Sequence, residues 1–147
     1  MHYNDLVQIY FERSNALQWL WTLYVVVIGG LLAFSSLRKQ KDMITGILVT
    51  LLYCSFAYKN LGSIHDLTMQ RLAALQAVTQ YPTSSTDFQD SKVRTIIEPT
   101  LVAPEYEGIR AFHVTCDILT IAALWAMELR RIKMARREGN VAELQAA

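Results

Sequence analysis

A histidine and an aspartate stand four residues apart in an otherwise apolar run, His113 and Asp117 within IRAFHVTCDILTIAALWAMEL. Residues at that spacing share a helical face. An ionisable group near the middle of a membrane-length helix costs roughly 3 kcal/mol on insertion scales, so it faces protein or water and finds a partner. Counting about 1.5 Å per residue puts Asp117 roughly 10 Å below one membrane boundary. The same count brings Tyr24, Tyr58 and Lys59 to a similar level, with the Lys59 stem long enough to reach down. The expectation is a polar cluster of Asp117, His113, Lys59 and Tyr24 or Tyr58. Its first reading is an inter-helix clamp that satisfies itself. The alternatives are a proton or ion path using Asp117 and a metal or cofactor site.

The ligand-type residues add less. His65 and Met69 lie four apart, and His65 with His113 could hold a haem, or histidine with methionine a copper ion. The spacing is generic and no porphyrin cleft of small residues accompanies it, so no cofactor and no metal is expected. Cys54 and Cys116 fall at similar depth in apolar segments and read as two buried free thiols. Glu128 beside Arg130 and Arg131 reads as an interfacial ion pair. GxSxG, HExxH, P-loop and GxGxxG patterns are all missing from the sequence, and no nucleophile has a base beside it. We therefore expect no enzyme.

The elements that must position these residues follow from hydropathy. Ala16–Leu37 runs about 22 residues without a charge, enough as a helix to cross a hydrocarbon layer of roughly 30 Å. Residues 1–15 form an interfacial amphipathic segment, on the surface or continuous with the span. Trp19, Trp21 and Tyr24 suit a headgroup boundary. Residues 38–42 make a short turn. From residue 43 to 80 no proline intervenes, and Leu61, Ile64, Thr68, Leu72, Leu75 and Val78 recur at three- or four-residue steps. That spacing predicts one long helix whose second half leaves the membrane as an amphipathic rod ended by Tyr81-Pro82. Residues 81–108 form a polar connection with a short helix over Phe88–Ile97. Residues 109–129 form the third span, and 130–147 a basic tail with a mobile end.

The chain carries 14 Lys and Arg against 13 Asp and Glu, and the basic residues gather at two places. Arg38, Lys39 and Lys41 follow the first span; Arg130, Arg131, Lys133, Arg136 and Arg137 follow the third. Three crossings put both clusters on one side, which the positive-inside rule makes cytoplasmic. The clusters could also meet lipid headgroups, but they form no broad basic face for nucleic acid. The N-terminus and residues 62–108 then lie outside, and the first helix, lacking a basic leader and a cleavage site, is retained. Gly29 with Ala33, and Ala122 with Ala126, are small-xxx-small pairs that let helices approach closely in lipid. The sequence thus predicts an all-α integral protein of a bacterial inner membrane. We expect it to act as a subunit or scaffold associating with itself or with other membrane proteins, the alternatives being an oligomeric pore and a redox subunit.

Overall fold

Among the described residues the long helices are α1 over Tyr3–Leu37, α2 over Met43–Thr79 and α3 over Tyr106–Ala146. They come from a computed structural model that describes residues 2–82, 94–103 and 105–146. Among the described residues there is no strand. At 35, 37 and 41 residues, the helices rise about 52, 55 and 61 Å, each longer than a hydrocarbon core of roughly 30 Å.

Helices α1 and α2 form an antiparallel hairpin through the turn Arg38–Asp42. Asp42 sets the start of α2: its Oδ1 accepts the backbone N–H groups of Ile44 at 3.1 Å and Thr45 at 3.3 Å. Those are orphan donors of a first helical turn, which is why a short acidic side chain stands here. At the other end of the hairpin Tyr3, Val7 and Val78 bury one another, with Leu6, Tyr81, Ile97 and Leu101 packed around them. Tyr10 donates to the Val102 carbonyl at 3.0 Å and accepts from Arg71 Nη2 at 2.5 Å. This cap end therefore ties residues 94–103 onto both helices. Helix α3 starts lower down, where Tyr106 meets His65 edge-on at 4.7 Å. It then runs parallel to α1 and on past the turn.

The burial pattern is reversed from that of a water-soluble bundle. Of the apolar windows in α1, α2 and α3, only 11, 17 and 22% of residues are buried within the chain. Val25, Val26, Leu48, Leu51, Leu52, Ile118 and Leu119 face outward, whereas Tyr24, Tyr53, Asn60, His113, Thr120 and Glu128 are inside. In water such a surface would be an aggregation hazard. In a bilayer the tails cover the apolar faces, and polar groups turn inward to find partners. Each of the three helices is long and apolar enough to span a membrane.

Several expectations gain detail. Of the two placements expected for residues 1–15, the chain takes the continuous one, since α1 is helical from Tyr3 onward. The residues after 129 continue α3 as helix to Ala146, with no proline between 130 and 146 to stop it. Most of the helix expected over Phe88–Ile97 lies outside the described residues; 94–97 are helical and lead into a 3-10 turn at Glu98–Thr100. Of the three aromatics assigned to a boundary, Trp19 is exposed, but Tyr24 is buried and Trp21 packs edge-on against it at 5.8 Å.

Candidate functional site

The buried stripe of α3 is His113, Thr120, Leu124 and Glu128, with Asp117 half-buried among them. These positions follow the three- and four-residue steps of one helical face. Two polar clusters hang on that stripe, one near mid-span and one at the turn end.

The mid-span cluster centres on Asp117. Its Oδ1 accepts the hydroxyls of Tyr24 at 2.8 Å and Tyr53 at 2.7 Å. Its Oδ2 lies 2.9 Å from His113 Nδ1. The Tyr24 hydroxyl is shared with the His113 carbonyl at 3.2 Å, and the two rings stack with centroids 4.1 Å apart. His113 Nε2 lies 3.2 Å from Asn60 Nδ2. An amide nitrogen only donates, so Nε2 accepts and the ring proton sits on Nδ1 facing Asp117. One carboxylate thus gathers donors from all three helices. That is the arrangement of a clamp, because a buried acceptor left without donors costs far more than each bond gains.

The structure brings together Asp117, His113 and Tyr24, and leaves Tyr58 and Lys59 out. Tyr58 is 76% exposed, and with Lys59 it lines an open groove shared with His65, Asp66 and Tyr106. The physical reason is helical phase. The inward positions of α2 are Tyr53, Ala57, Asn60 and Ile64, and residues 58 and 59 lie about 100° and 200° around from Ala57. Tyr53 and Asn60 are the members that sequence reasoning missed. Their signal was a tyrosine and an asparagine at seven-residue spacing inside a span, where polar side chains mark the protein-facing side.

The residues weighed as metal or haem ligands lie apart. Both ring nitrogens of His113 are engaged, by Asp117 and Asn60. His65 is in the groove, with Nδ1 3.3 Å from Asp66. Among the described residues no group of three His, Cys, Asp or Glu side chains converges as a metal site. Cys54 and Cys116 are free thiols; Cys54 faces outward instead of being buried.

At the turn end, Glu128 is 3% exposed. Its Oε1 accepts the Asp42 backbone N–H at 2.9 Å, and its Oε2 pairs with Arg131 Nη1 at 2.5 Å. Arg131 Nε donates to the Arg38 carbonyl at 2.9 Å, and Nη2 donates to the Ser35 carbonyl. Those carbonyls end α1 and have no partner within it. Arg38 Nη1 stands 3.9 Å from Glu128 Oε2. The ion pair expected at an interface is therefore a buried tie of three chain segments, with Arg130 turned outward. Lys39, Lys41, Lys133, Arg136 and Arg137 are exposed.

The small-residue pairs face away from the chain's own interior. Gly29, Ala33, Ala122 and Ala126 are exposed, and a Cβ built on Gly29 would meet nothing within 4 Å. Comparison with protein-family models, with curated proteins and with solved structures finds no match to this chain.

Proposed function

We propose that this chain is a small, non-enzymatic membrane scaffold that works by lateral helix–helix association, with a second copy of itself or with another membrane protein. One contrast carries the reading. Asp117 and His113 are tied off within the chain, whereas the close-approach surfaces at Gly29–Ala33 and Ala122–Ala126 are open. Association in lipid draws on tight packing at small residues, so an uncovered pair is where a neighbouring helix fits best. In this reading the membrane is a bacterial inner membrane. The cap end and the N-terminus lie outside, and the turn and the C-terminal part of α3 lie in the cytoplasm, as the basic residues at both places favour.

The test is Gly29→Ile alone and combined with Ala122→Ile, with the mass of the native assembly measured in mild detergent. The wild type should travel as an oligomer or with a partner at fixed stoichiometry. The substituted chains should lose that association yet keep their helical signal, because the sites are open. A wild type that is a lone monomer in detergent would contradict the proposal.

A second reading has one observation in its favour, the His113–Asp117 pair at membrane depth. If oligomers conduct protons or ions, expression should cause dye leakage or growth arrest that Asp117→Asn relieves without altering abundance.

A further inference from the structure

The turn end carries an open groove of about 460 Å³. One wall is the turn itself, Lys39, Gln40 and Lys41. The other is α3 at Arg131, Met134, Ala135 and Glu138. Arg131 is already committed to Glu128 and to the ends of α1. Lys39 and Lys41 are exposed, and no ion pair among the described residues includes either of them. Two lysines and one glutamate leave the groove with a single net positive charge.

Its position matters as much as its charge. Leu37 at the end of α1 is 79% exposed and Leu129 on α3 is 61% exposed, so the apolar surface ends just before the groove. Met134, itself half exposed, offers an apolar floor leading away from that boundary. A phosphodiester carries one negative charge. A lipid whose tails lie beside Leu37 would bring its phosphate level with Lys39 and Lys41.

We propose that this groove holds the headgroup phosphate of an anionic phospholipid with an uncharged polar headgroup, the lysines pairing with the phosphodiester oxygens. The site rests on the reading of the three apolar windows as membrane spans. Charge on the opposite side of α3, at Lys133 and Arg136, takes no part. Those residues lie roughly 140° or more around the helix from Arg131 and Glu138.

The test compares wild type, Lys39→Gln/Lys41→Gln and Lys133→Gln/Arg136→Gln in phosphatidylcholine nanodiscs. Each is titrated with short-chain phosphatidylglycerol and, separately, with glycerol phosphate, and bound lipid is counted by native mass spectrometry. Each lysine near an anionic lipid is worth about fivefold in affinity, so the groove pair should bind about 25-fold more weakly. The opposite pair, which removes the same charge, should bind like wild type. Glu138→Gln should bind phosphatidylglycerol more tightly. Equal losses in the two double variants would overturn the site in favour of diffuse attraction. Glycerol phosphate binding as well as the lipid would make it an anion site, and a weaker Glu138→Gln would point to an ammonium headgroup; either overturns the proposal. A chain that stays out of nanodiscs would overturn the membrane reading itself, a different result from incorporation without selective binding.

Discussion

The Tyr53 hydroxyl donates to Asp117 Oδ1 at 2.7 Å, joining α2 to α3 at the level where α1 contributes Tyr24. All three helices meet there on one carboxylate, with His113 of α3 approaching its other oxygen. The meeting takes place through polar groups in a part of the chain whose surface is almost wholly apolar.

Removing one donor should weaken that junction measurably. Tyr53→Phe should lower unfolding stability in detergent by about 1 kcal/mol, and Asp117→Leu by about 3 kcal/mol, because three donors then lose their acceptor. In the Asp117→Leu background the added Tyr53→Phe change should cost close to nothing. That double-mutant cycle checks whether the tyrosine acts through the aspartate.

Glu128 should be the more damaging loss. Its side chain is 4% exposed and paired with Arg131. Truncating one partner of a buried ion pair strands the other, typically at about 3 to 5 kcal/mol. Glu128→Ala should therefore open the turn to protease and reduce abundance. Arg130→Ala, on the exposed side of the same helix, should do neither.

The turn also carries a pH signature. Asp42 is held below the ordinary carboxylate range, first by the Thr45 hydroxyl and then by the Thr45 and Ile44 backbone N–H groups, with Arg38 adding a little. A carboxyl whose folded value is lowered contributes in full above its unfolded value of about 4 and loses that contribution as pH falls through the folded value. Asp42→Asn keeps a capping oxygen but has no charge to titrate. The stability gap between wild type and Asp42→Asn should be constant near neutrality and shrink below about pH 4. A constant gap down to the acid limit would contradict this.

How much of this was legible beforehand depends on the solvent each segment meets. In the second half of α2, Ile64, Thr68 and Val78 are buried, and Leu61, Leu72 and Leu75 lie half-buried beside them. There the apolar stripe seen in the sequence marks the inside, as it does in water. Within the spans apolar residues lie on every face, and hydropathy carries no phase. Depth counting placed Tyr24, His113 and Asp117 at one level but could not tell Tyr53 and Asn60 from Tyr58 and Lys59. Rotation about the helix axis decides that, and in a span the polar residues report it. Glu128 was legible as one member of an ion pair. Its burial depends on Ser35, Arg38 and Asp42, more than 80 residues away along the chain.

The most direct test of the account is the location of both ends of the chain in a living bacterium. Fluorescent-protein and alkaline-phosphatase reporters would be fused in turn after Ala147 and before Met1, with the membrane fraction washed at alkaline pH. The account predicts retention in the washed membrane, fluorescence but no phosphatase activity from the C-terminal fusions, and phosphatase activity from the N-terminal one. Phosphatase activity at the C-terminus, or a chain that washes off and stays soluble without detergent, would contradict it.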